Sequence, residues 1–296
     1  MRPLYMKSSN RKPEHGAVGI FDSGVGGITV VKQVRKYFPG TGIIYFGDTF
    51  HVPYGDKTIS TVRGYALQIM EFLAQIPIRA IFIGCNTSSS ALLGTNLQHI
   101  QVPVFELIVP GMLTAARLTN TGKVGLIANP PTALSGVHQR VLDEYGLDVE
   151  CIAVPCPKLV PLVEAGKYDC PEMDEAMAEY LEPIRKAGCD VLIHGCTHYP
   201  LSQPSIDRLW PEAIVIDPAE EVVRSSVAIL ARQERFREPL EEDVYMLSME
   251  WPTFSQTAEL FLGEKVPEPM IANIWEPNGP NNSDAKDETI TITAEK

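Results

Sequence analysis

The sequence predicts an α/β fold: two similar, doubly wound domains with mainly parallel sheets, pseudo-symmetric, with a site where the domains meet. Three observations predict it. Continuous apolar runs alternate with helical patterns, as in parallel sheets covered on both faces. The order recurs, with strands beginning at Val18 and Val124, 106 positions apart, and cysteines Cys85 and Cys196 lying 111 apart. Polar clusters sit at the ends of those strands, where open α/β sheets bind ligands.

In order, residues 17–21 (AVGIF) read as a strand, followed by the loop Asp22-Ser23-Gly24-Val25-Gly26-Gly27 and a helix over 28–37. Residues 43–46 (IIYF) form a second strand ending at Gly47-Asp48. Apolar positions at Val62, Ala66, Ile69, Phe72 and Leu73 make 58–76 an amphipathic helix. Residues 79–83 (RAIFI) run into Gly84-Cys85-Asn86-Thr87. The second series has a strand over 123–128, a loop (NPPTALSG), a helix over 136–144, and a strand over 190–194 ending at Gly195-Cys196-Thr197-His198. Residues 16–107 and 214–266 are assigned to the first domain and 108–213 to the second. Residues 1–15 read as a disordered arm, and 267–296 as a mostly disordered extension.

With 45% hydrophobic and 21% charged residues, the 296-residue chain has a soluble globular composition. A net charge of −12 argues against nucleic acid or an anionic membrane as a partner. No apolar run approaches the ~20 residues of a membrane span. Six cysteines in a chain this long do not form a disulfide framework, so a reducing, cytoplasmic compartment is expected.

The glycine loop lacks the G-x-G-x-x-G spacing of a dinucleotide site; it can cradle an anion at the helix start, or its glycines can serve a tight turn through positive φ, which would leave Asp22 and Ser23 unexplained. Cys151, Cys156, Cys170 and Cys189 read as small apolar residues. Cys85 and Cys196 differ: each follows glycine, precedes hydrogen-bonding residues, and stands where a helix start or an imidazole favours thiolate. Zinc ligation by Cys85, Cys196, His198 and Asp22 stays open on residue types, although C-x₂₋₄-C spacing is missing. A Cys-His-Asp hydrolase also stays open but leaves one cysteine unused. Racemisation at Cα uses both, because it removes a proton from one face and delivers one to the other. Ser23, Asn86, Thr87 and Thr197 offer groups to hold a substrate.

The motifs GIFDSGVGGITVV, YFGDT, VPYG, CNTSSSALL, CPKLVPLVEAG and GCTHYPL, in that order from about residue 16 to 263, resemble glutamate racemases of the aspartate/glutamate racemase superfamily. The resemblance implies acid/base roles for Cys85, facing the D-enantiomer, and Cys196, facing the L-enantiomer. It implies assisting roles for Asp22, His198, Asp48 and Glu164. Substrate contacts carry over to Asp22, Ser23, Pro53, Tyr54, Gly55, Asn86, Thr87, Thr197 and His198. It further implies glutamate as substrate, no cofactor or metal, a homodimer, and supply of D-glutamate for peptidoglycan. An aspartate or other amino-acid racemase, or a non-catalytic amino-acid-binding protein, are the alternatives. The sequence departs from the family at Gly84, Ser88, Asn129-Pro130-Pro131-Thr132, His138 and SMEWPTF.

Overall fold

The computed structural model describes residues 16–232 and 242–275. The arm over 1–15 and most of the extension over 267–296 lie outside the described residues. The strands are β1 (Val18–Asp22), β2 (Ile43–Gly47), β3 (Ile81–Ile83), β4 (Val104–Phe105), β5 (Lys123–Ala128), β6 (Glu150–Pro155), β7 (Val191–Gly195), β8 (Ile214–Ile216), β9 (Val244–Leu247) and β10 (Met270–Ile271). They form two parallel sheets, ordered β10-β9-β2-β1-β3-β4 and β6-β5-β7-β8. Stripped of β9 and β10, the first sheet has the same order as the second, with β1 matching β5 and β3 matching β7.

The helices are α1 (Ile28–Tyr37), α2 (Ile59–Ala74), α3 (Asn86–Leu92), α4 (Ile108–Leu118), α5 (Pro130–Leu134), α6 (Val137–Glu144), α7 (Leu159–Glu164), α8 (Pro171–Lys186), α9 (Gln203–Leu209), α10 (Pro218–Leu230) and α11 (Phe254–Leu262). Among the described residues, none is long and apolar enough to cross a membrane. Each forms for local reasons. In α2 the expected stripe of Val62, Ala66, Ile69, Phe72 and Leu73 is buried, and Thr58 caps the helix by accepting from the Thr61 amide. Helix α8 carries Glu172 and Asp174 in its first turn and Arg185 and Lys186 in its last, complementing its dipole. Its opposite face buries Met173, Met177, Leu181 and Ile184. Strands β1, β2 and β7 are buried along their whole length, which explains their unbroken apolar runs.

Two expectations need correction, and the extension, expected to be mostly disordered, has a short strand at its described start. Strand β8, assigned by sequence to the first domain, pairs with β7 in the second sheet, Val191 opposite Ile214. The crossover helix α9 brings it back beside the strand it left, so the chain returns to the first sheet one element later, through α10. That helix packs against both α1 and α4 and ties to the first half through Glu220, which accepts from Lys36 and Tyr37. The loop expected at NPPTALSG contains α5, which its two prolines open. The extension beyond 266 begins with β10, which adds to the edge of β9.

Gly125 in β5 admits Ile184 of α8 so closely that an added Cβ would lie 2.2 Å from the isoleucine Cγ2. Gly125→Ala is therefore expected to lower stability by about 1–3 kcal/mol through overpacking. Ile184→Ala in the same chain should cost less than it does alone, measured as a double-mutant cycle by urea unfolding. Additive effects would contradict this packing.

Candidate active site

A cavity of about 280 Å³ lies between the two halves at the carboxyl ends of their strands. That volume is at the small end for ligand sites, suited to a metabolite of amino-acid size rather than a dinucleotide. Every site residue singled out in the sequence lines it except Asp48.

The first half contributes Cys85, which directly follows β3 and Gly84 and is the N-cap of α3. Its thiol lies 3.9 Å from the Ser23 hydroxyl oxygen, toward which it donates. Burial, and then the neighbouring Asp22 carboxylate, push this thiol up to about 12. The helix start does not outweigh these effects, so the thiolate expected here from sequence gives way to a neutral thiol. Asp22 is itself buried, and burial raises its pKa, opposed by the charge of His198 and by backbone amides. One carboxylate oxygen accepts from the Gly24 amide at 2.9 Å; the other has no hydrogen-bond partner among the described residues. Asp22 does not cap α1, whose N-cap is Gly27.

The second half contributes Cys196, which directly follows β7. Its sulfur is 3.8 Å from His198 Nδ1, and His198 Nε2 is 3.2 Å from the Glu164 carboxylate at the end of α7. Burial disfavours the imidazolium, but Cys196 and Glu164 outweigh it and raise His198 to about 10. Glu164 is thus part of a carboxylate–imidazole–sulfur chain rather than a freely solvated acid. Cys85, Cys196, His198 and Asp22 do not form a metal-ligand cluster: the described residues contain no group of three or more His, Cys, Asp or Glu suited to one.

The glycine loop works by close approach. None of its glycines has positive φ, contrary to the tight-turn reading. A Cβ on Gly26 would meet Thr197 Oγ1 at 2.3 Å and His198 Nδ1 at 2.7 Å. Bare backbone there lets the second half's loop reach the cavity. Across the same boundary Thr87 and Thr132 hydroxyls meet at 2.9 Å.

Asp48 stands behind the wall. It is fully buried and accepts from Tyr54, Ser248, Trp275 and the His51 ring, so its carboxylate is saturated by protein groups. Through the 2.6 Å bond from Tyr54 it fixes a residue that does line the cavity. Trp275, Trp251 and Asn129 are site components that sequence reasoning missed as such. Trp251 lines the cavity and lies 2.9 Å from where a Gly24 Cβ would be. Its signal was the departure SMEWPTF; Trp275 had none beyond being an aromatic residue in a polar stretch.

Because His198 holds its proton more tightly folded than unfolded (near 6.5), its stabilising contribution is complete below about pH 6.5 and is lost as pH rises toward 10. Urea-unfolding stability should fall over that window, by at most about 1.4 kcal/mol per pH unit for one proton. His198→Asn should flatten the slope; an unchanged slope would contradict the assignment.

A family model for Asp/Glu/hydantoin racemases matches residues 28–225. A glutamate racemase of Desulforudis audaxviator is 42% identical over 264 residues, spanning 86% of this chain and 96% of that protein. Among solved structures, a glutamate racemase isoform of Bacillus anthracis superposes with a TM-score of 0.80 at 30% identity, covering 86% of this chain and 96% of that one. A glutamate racemase of Francisella tularensis, solved in complex with D-glutamate, gives a TM-score of 0.78 at 28% identity, covering 87% and 97%. The chain belongs to the Asp/Glu/hydantoin racemase family, as a racemase of its glutamate racemase group.

Proposed function

We propose that the protein interconverts L- and D-glutamate without a cofactor, using Cys85 and Cys196 as two bases on opposite faces of Cα. The observation that carries this reading is that both sulfurs, from equivalent strand ends of matching halves, line one small cavity. The 42%-identical relative named for glutamate supports the choice of substrate.

In the L-to-D direction, Cys196 thiolate takes the Cα proton while the Cys85 thiol delivers its own proton to the opposite face. The C–H electron pair passes through a planar carbanion. One thiol and one thiolate thereby exchange states, and the reverse reaction starts from the product arrangement. The free site suits this direction: Cys85 is held as thiol, and His198, 3.8 Å from the other sulfur, is a base able to take the proton that the Cys196 thiol gives up. Glu164 stabilises that imidazolium. Asp22, a cavity-lining carboxylate with one buried, unpartnered oxygen, is the group we assign to the substrate ammonium. Ser23, Asn86, Thr87 and Thr197 supply donors for its carboxylates, and such fixed dipoles stabilise charge that grows on the carbanion. Pro53, Tyr54 and Gly55 close one wall, and Asp48 acts as a positioning residue through Tyr54.

We assign the protein the supply of D-glutamate for peptidoglycan, in the cytoplasm, as a homodimer with no nucleic-acid partner. The net charge of −12 supports the last point.

Incubation with each glutamate enantiomer in D₂O should give loss of optical rotation with deuterium entering Cα. Exchange of aspartate in place of glutamate would overturn the substrate, and no exchange with any amino acid would overturn the activity. Cys85→Ala and Cys196→Ala should each lower kcat/KM by about 10³-fold with the fold intact by circular dichroism. Full activity in either variant would contradict the two-base mechanism.

A further inference from the structure

Strand register makes Asn129 the counterpart of Ser23. In the first half Phe21 stands opposite Ile83, so two residues on Ser23 is level with Cys85. In the second half Ala128 stands opposite Gly195, so one residue on Asn129 is level with Cys196. The contacts agree: Ser23 Oγ is 3.9 Å from one sulfur and Asn129 Nδ2 is 3.7 Å from the other.

Asparagine is a preferred N-cap, and Asn129 occupies the N-cap of α5, yet its side chain makes no cap hydrogen bond. Prolines fill the first two positions of that helix, and the second has no amide proton to offer a capping oxygen. The carboxamide is left to the cavity. Tyr199, fully buried, has its one O–H shared between the Cys156 carbonyl oxygen at 3.2 Å and Asn129 Oδ1 at 3.4 Å, and the amide N–H₂ is on the side of the sulfur, 3.7 Å from it.

We propose that Asn129 is a further active-site residue, whose amide N–H holds Cys196 as the thiolate, and that Pro130-Pro131 free it for this task. The proposal rests on the two-cysteine reading. The two flanking groups then match opposite protonation states. A serine hydroxyl can accept from the Cys85 S–H, whereas an amide N–H₂ can only donate, so it favours an anionic sulfur.

The test is alkylation of the full chain by iodoacetamide at about pH 7.5, with each cysteine followed by peptide mass spectrometry, because thiolate is the reacting form. Asn129→Asp keeps the shape but exchanges the donor for a negative charge. It should slow Cys196 alkylation about tenfold or more while Cys85 stays within about twofold. Asn129→Ala, which adds no charge, should give a smaller slowing and serves if the aspartate variant does not fold. Unchanged Cys196 alkylation in the folded variants, or equal slowing at both cysteines, would overturn the proposal. Labelling requires no turnover, so failure of the wild-type protein to exchange glutamate would count against the functional reading alone.

Discussion

Two parallel ladders decide where Cys85 and Cys196 lie. With Phe21 opposite Ile83 and Ala128 opposite Gly195, Cys85, two residues past β3, and Cys196, the first past β7, emerge level with Ser23 and Asn129 in the loops past β1 and β5. A slip of one residue would turn each cysteine to the other face of its sheet, since side chains alternate. Burial of whole strands against helices on both sides holds that register. Within the second half Gly125 leaves room for Ile184, and between the halves Gly26 leaves room for Thr197 and His198, each contact too close for a side chain at the glycine.

Similar backbones carry different charges. Around Cys85 stand a buried carboxylate and a hydroxyl, both compatible with a neutral thiol. Around Cys196 stand an imidazole backed by a carboxylate and an amide donor, an arrangement that accommodates an anionic sulfur. A reaction that interconverts mirror images needs one base and one acid at a time. On the proposed two-cysteine reading, matching folds with unlike neighbours supply both.

Much of this was legible in the sequence because it was written in local patterns. The strands β1, β2, β5 and β7 are apolar runs, and the residues after them are polar in clusters, so Asp22, Cys85, Cys196 and His198 could be named before any geometry. Other features depend on which chain segments meet. The pairing of β8 with β7 rests on the crossover through α9, and nothing in AIVID itself distinguishes the two sheets. Asp48 has the sequence context of a site residue, but its burial beneath Tyr54, Ser248 and Trp275 joins segments some two hundred positions apart. The glycines of the first loop were legible as constrained, while the reason, contact with the other half rather than positive φ, was not. The proline pair after β5 acquires meaning once Asn129 is seen beside a sulfur.

The central claim is that one Cα sits between two sulfurs. A crystal structure of the protein with bound glutamate tests it most directly. The account predicts Cα between Cys85 and Cys196, within about 3.5–4 Å of each sulfur, as proton transfer across both faces requires. A substrate whose Cα approaches one cysteine while the other is turned away or screened would contradict it.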